Sequence, residues 1–255
     1  MTTVFLCEDS LDGILTGVYD AWDSRLGHEC VKLQLQIDGN IELFCEYRTV
    51  CTDLQKAEKV LRTVRKRMGR NAEEAVCYAA ACTDDRKADA IYRLIVLGLT
   101  MPDGKKAVHC LQNTSVLLVE KLRCKSWREA EKMLGFLRFE ELENGVLYAC
   151  MKPLCAVLPL IAPHFAERFM QENWIIHDVG RRQAAVHRIG GGWYLTDSYL
   201  LEKVNQKGRS GSEEEFQDLW KIFCRYISIE ERKNPGCQQN LLPLRFRPYM
   251  TEFMD

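Results

Sequence analysis

The chain has 255 residues, 47% hydrophobic and 28% charged, with 35 Lys and Arg against 36 Asp and Glu. That length suits one large domain or two small ones, and the composition excludes disordered, collagen-like and low-complexity chains. No apolar run of about 18 residues could cross a bilayer, and the opening stretch turns acidic at Glu8-Asp9 with no basic flank, so a cytoplasmic protein without a membrane span or signal peptide is expected.

Val4–Cys7 reads as a short strand. Leu11, Ile14, Leu15, Val18, Tyr19 and Trp22 follow at helical spacing, the stripe of a helix that buries one face. Val31, Leu33, Leu35 and Ile37 alternate with polar residues, Asp38-Gly39-Asn40 supplies a turn, and Ile41–Tyr47 returns. The first 50 residues therefore predict a β-α-β-β unit. A helical stretch comes next. Leu54, Ala57, Leu61, Val64 and Met68 form one stripe, with Lys59, Arg62 and Lys66 on another face and Gly69 at the end. Asn71 with Glu74 predicts a cap for a second helix. A third spans about 86–99 and is broken by Thr100-Met101-Pro102-Asp103-Gly104. Leu111–Leu122 reads as helical, and Ser126 with Glu129 predicts the start of another helix.

The carboxyl half changes character. Phe136–Leu142 and Val146–Met151 flank Glu143-Asn144-Gly145, whose Asn-Gly pair predicts a hairpin with a two-residue type I′ turn. A proline-punctuated helix follows over about 160–170. Trp174–Val179 and Ala184–Ile189 predict a second hairpin across Gly180-Arg181-Arg182, and Gly190-Gly191-Gly192 turns into a further strand-like run, Trp193–Leu195. Lys207–Gly211 reads as a flexible loop, and Ser212 with Glu215 predicts the cap of a long helix carrying Phe216, Leu219, Trp220, Phe223 and Ile227. The fold class expected is α+β: a helix-rich amino part with a small β-α-β-β unit (1–84), then a two-hairpin β-β-α-β-β core closed by a long helix (85–255).

Charge is unevenly laid out. Residues 1–46 hold nine acids and two bases, and residues 47–70 hold eight bases and two acids. Either the two stretches neutralise each other across the fold, or the second is a strip for a polyanion. The twelve cysteines include no C-x-x-C pair, so zinc and thioredoxin spacings are missing and no metal or other cofactor is expected. His177 and His187 read as structural. One constellation could carry chemistry: His164, Glu167 and Arg168 on the middle helix, with His177, Asp178, Arg181 and Arg182 around the second hairpin. A histidine could move a proton there while an arginine steadies an anion; a surface ion-pair network is the other reading. The basic and aromatic residues Arg225, Arg232, Lys233, Arg245 and Arg247 with Trp220, Tyr226, Phe246 and Tyr249 could hold a strand or pack as an arm over the domain.

Four runs occur in order: Phe136–Leu142, Leu158–Phe169 with His164-Phe165 and Arg168, Trp174–Val179, and Ile227–Pro235. Together they resemble a bacterial family of unknown function whose members are labelled DNA repair or DNA metabolism proteins. The resemblance is strongest from about Ala88 onward. Members of that family are typically encoded beside a radical-SAM protein, and a related domain occurs fused to a uracil-DNA-glycosylase-like domain. The resemblance therefore implies a pathway and a radical-SAM partner, not a reaction. By motif match it points to His164, Phe165, Arg168, Asp178, Arg232, Asn234 and Pro235. Three functions stay open. The first is a cytoplasmic DNA repair accessory binding nucleic acid through Lys59, Arg62, Lys66, Arg168, Arg181, Arg232 and Asn234. The second is an enzyme on a damaged base or nucleotide, with His164 or Asp178 as general base. The third is a pure protein-interaction module.

Overall fold

A computed structural model describes residues 2–36, 43–201 and 208–254. The chain is mixed α and β, and its described residues form one three-stranded and one five-stranded sheet. It divides into two compact units, Met1–Arg128 and Glu129–Asp255.

The first unit opens with β1 (Thr2–Cys7), α1 (Leu11–Asp23), β2 (Val31–Leu35) and β3 (Cys45–Thr49). The element order is the expected one, but the pairing is not a hairpin. β1 lies between β2 and β3 and is parallel to both. A central parallel strand is covered on both faces, and Val4, Phe5 and Cys7 are all buried. The turn read at Asp38-Gly39-Asn40 lies outside the described residues. β2 is an edge strand whose free groups are taken by a helix. Asp89 accepts from the Leu33 N–H at 3.1 Å, and Arg93 donates to the carbonyls of Val31 and His28. Both side chains come from the helix Lys87–Thr100, so the edge is shielded from pairing with another chain.

The helices after β3 are α2 (Leu54–Met68), α3 (Arg70–Ala81), α4 (Lys87–Thr100) and α5 (Thr114–Phe136), with a 3-10 turn at Gly104–His109. Gly69, at φ 85°, ends α2 and starts α3, so Asn71 is not a cap. Positive φ carries no penalty for a residue without a Cβ. Lys87 is buried and donates to the carbonyls of Ala80 and Cys82 at the end of α3, where orphan carbonyls need donors. α5 is one continuous helix capped by Asn113. Ser126 lies inside it, because Val116, Val119, Leu122, Ala130 and Met133 keep one buried stripe running through that point.

The second unit holds a five-stranded sheet in the order β4 (Glu140–Glu141), β5 (Leu147–Met151), β6 (Trp174–Asp178), β7 (Gln183–Arg188), β8 (Gly192–Asp197). α6 (Leu158–Arg168) connects the parallel pair β5 and β6, and all other neighbours in this sheet are antiparallel. The turn at Asn144-Gly145 differs in kind from the one expected. Gly145 N–H bonds to Leu142 O and Leu142 N–H to Val146 O, and Gly145 alone in this turn has positive φ. This is a three-residue loop with glycine in the left-handed position, not a two-residue turn. One sheet face packs Phe139, Phe165, Phe169 and Trp174. Leu142, Tyr148, Ile175 and Ala184 form a separate buried cluster. α7 (Gly211–Tyr226) is capped by Ser210 in place of Ser212. It has no buried residue, so its apolar stripe does not seal the core. α8 (Pro235–Leu241) and short 3-10 turns complete the chain.

Candidate functional site

The basic strip becomes a surface through the phase of α2. Asp53 caps the helix by accepting from Gln55 and Lys56 N–H. Ala57, Val64 and Met68 face the core. At 100° per residue, Lys59, Arg62 and Lys66 fall within about 60° of arc opposite that stripe, and all three are exposed. Among the described residues, two ion pairs join this strip to the acidic first stretch. Lys56 pairs with Asp20 at 2.7 Å and Arg48 with Glu46 at 2.9 Å. Arg62, Arg65 and Arg70 pair instead with Glu58, Glu73 and Glu74. Lys59 and Lys66 have no ion-pair partner among the described residues. Lys56 and Lys59 both lie over the Tyr19 ring, at 5.5 and 5.9 Å. Arg65, Lys66 and Arg67 occupy the last turn of α2, where the helix dipole favours cations.

The constellation in the second unit is not gathered into one cleft. His164, Glu167 and Arg168 lie on the outer side of α6, with His164 edge-on to Phe165 and Arg168 over Phe169. Asp178, at the end of β6, is 1% exposed. One carboxylate oxygen accepts from the N–H groups of Gly180 and Arg181, and the other from the Arg181 guanidinium at 3.1 Å. Arg181 also donates to the carbonyls of Pro153 and Leu154. Asp178 and Arg181 therefore lock the β6–β7 turn to the segment that follows β5. Among the described residues, no hydrogen bond, ion pair or ring contact joins either to His164 or Arg168. Arg182 carries the turn's positive φ.

His177 and His187 are both buried. His177 Nδ1 shares a 2.8 Å hydrogen bond with the Tyr148 hydroxyl, to which the Cys150 thiol donates. Burial pushes the His177 pKa below its usual value, against a smaller opposing pull from Asp178. His187 Nδ1 bonds to Glu172 O and its ring stacks on Trp174 at 5.2 Å. In the tail, Asn234 caps α8 through Cys237 N–H, and Arg232 is exposed. Arg245 lies over Phe246 and Arg247 over Phe253. Phe246 itself is buried against Phe136. This part of the basic and aromatic tail packs as an arm on its own unit.

Two functional-looking residues escape sequence reasoning. Glu129, read as a capping partner, is a buried carboxylate that accepts from Leu154 N–H, Cys155 N–H and Arg245. Lys87 looks in the sequence like an ordinary surface lysine. Neither has a local signal, since each partner is distant in sequence or lies on another element. None of the twelve cysteines forms a disulfide. Burial pushes the Cys7 thiol up to about 12 and Cys77 up to about 11, which makes both poor nucleophiles. Among the described residues no group of three or more His, Cys, Asp or Glu could hold a metal ion, and no helix is long and apolar enough to cross a membrane.

The search of curated proteins found no match. Among solved structures the chain is similar to a DHH domain described as a member of a family of ribosomal proteins. The identity is 11%, over 73% of each chain, with a TM-score of 0.31. So distant a superposition carries no argument about fold or function. The sequence family described as a domain of unknown function, DUF4130, matches residues 85–252, from α4 into the last 3-10 turn. That is about two thirds of the chain, and the chain belongs to this DUF4130 family.

Proposed function

We propose that this chain is an accessory protein of DNA metabolism or repair that holds a nucleic-acid strand by its phosphates. The single observation that carries the proposal is the exposed face of α2, where Lys59, Arg62 and Lys66 stand together opposite the buried stripe. Phosphate contacts of this kind position a strand without reading its sequence. The DNA context comes from the family resemblance of the His164-Phe165, Trp174–Val179 and Ile227–Pro235 runs. The test is binding of a labelled strand to the full chain and to the Lys59→Glu, Arg62→Glu, Lys66→Glu triple variant. The triple variant should bind at least about tenfold more weakly at low salt, since three favourable phosphate contacts become repulsive. Equal affinities would overturn the proposal.

A protein partner, with a radical-SAM protein as the expected one, is the second part of this reading. It is favoured by the unburied apolar stripe of α7, where Leu219, Phe223 and Tyr226 are each more than half exposed. Aspartate at Phe223 and Tyr226 should abolish co-purification with that partner and leave the thermal transition in place. The enzyme reading has less support. His164 has no hydrogen-bonding group to orient it among the described residues, and both oxygens of Asp178 are committed to the turn.

A further inference from the structure

The basic face of α2 runs into a groove of about 420 Å³ between α1, α2 and α4. Its walls are apolar, from Val60, Ile95 and Leu99, and its rim carries Tyr19, Trp22 and Lys59. The volume falls within the roughly 300–1,000 Å³ range of small-molecule clefts. Trp22 is 40% exposed, so an aromatic face is available at the surface. The groove thus joins an apolar slot, two aromatic side chains and a row of cations on one stretch of surface.

We propose that this groove takes one unstacked nucleobase of a single strand whose phosphates lie along Lys59, Arg62 and Lys66. The proposal rests on the phosphate-binding reading above and deepens it. An anionic strand with flat, apolar bases is the ligand whose chemistry matches both halves of the surface. Aromatic side chains stack on any base, because every base has a π-face, and cations follow the backbone. A duplex offers the same phosphates but keeps its bases inside the stack, so it can use only half of the surface. Asp23 also lines the groove. Its carboxylate repels phosphate but accepts an N–H from a base edge, which sets the orientation: base inward past Asp23, phosphate outward on Lys59.

The experiment measures binding of the full chain to a single DNA strand, a single RNA strand and the DNA duplex of the same sequence, at one salt concentration. The single strand should bind about tenfold tighter than the duplex, the scale of one stacked base. Trp22→Ala should remove that preference. Trp22 also packs on His28, with ring centroids 4.5 Å apart, so Thr63→Leu, at a residue that lines the groove, is the second variant. It fills the groove from the exposed side of α2 without deleting a packed ring, and it should likewise erase the preference. A preference in either sugar that Thr63→Leu erases supports the base pocket, and the sugar that shows it names the strand; a preference that survives both variants would overturn the pocket. Equal binding of single strand and duplex, unmoved by Thr63→Leu, would overturn the pocket while the phosphate reading stood. No binding of any form at low salt would overturn both.

Discussion

Two buried carboxylates organise the second unit. Asp178 gathers two backbone N–H groups and a guanidinium at the β6–β7 turn, and Glu129, in the second half of α5, gathers two N–H groups and Arg245. A buried donor left without its acceptor costs about 1–3 kcal/mol. Glu129→Ala should therefore lower unfolding stability by about 1–3 kcal/mol in denaturant titrations, with little change if the site were merely a surface ion pair. His177 gives a pH dependence of definite sign. Its folded pKa is lowered by burial, so the unfolded state binds the proton first as pH falls. The stability contribution is complete above the unfolded value of about 6.5 and is lost as pH drops through the folded one. Melting temperatures between about pH 7.5 and 5, the range that brackets this titration, should fall more steeply for the wild type than for His177→Gln. Parallel curves would contradict this. None of these roles can be read locally, since His177 meets Tyr148 of another strand, Asp178 meets the turn and Glu129 meets Leu154, Cys155 and Arg245.

At the scale of elements, periodicity is a reliable guide and chain pairing is not. The stripes of α1, α2, α4 and α6 fall close to where 3.6-residue spacing puts them. The strands at Val31 and Cys45 are legible, but their partners are not. A turn signal between two strands argues for a hairpin, whereas the buried β1 offers both of its edges and takes them instead. The Ser-x-x-Glu run at 126–129 shows the same limit: a capping pattern inside a long buried stripe is overridden by packing. Gly104 reads in the sequence only as a helix breaker, and the structure adds a steric reason. A Cβ there would meet the carbonyl oxygens of Gly98 and Arg67, which are backbone and cannot swing aside. Gly104→Ala should thus destabilise by about 1–3 kcal/mol, the usual cost of overpacking, measured by thermal or denaturant unfolding. A neutral substitution would mean that the end of α4 relaxes freely.

Across the whole molecule, the α+β class and the order of elements are legible because binary patterning and glycine and proline punctuation agree. The division into units is harder to see, because the helices from α3 to α5 look alike in sequence and only their packing assigns them. The candidate surface is legible in part. The excess of bases over 47–70 shows in the residue order, but its projection on one helix face depends on phase, and its ion pairing depends on where Asp20 and Glu73 lie. Arg181 looks equally basic and is consumed by Asp178 and two carbonyls. The proposed phosphate contacts therefore rest on the α2 face. Its most direct test is the salt dependence of binding to a labelled single strand, for the wild type and the Lys59, Arg62, Lys66 charge-reversal variant. Each phosphate neutralised adds about 0.7 to the log–log slope on a single strand. The wild type should show a slope of several units, and the variant should lose about 2 of them. A slope near zero, or one that the triple reversal leaves unchanged, would contradict phosphate binding by this face.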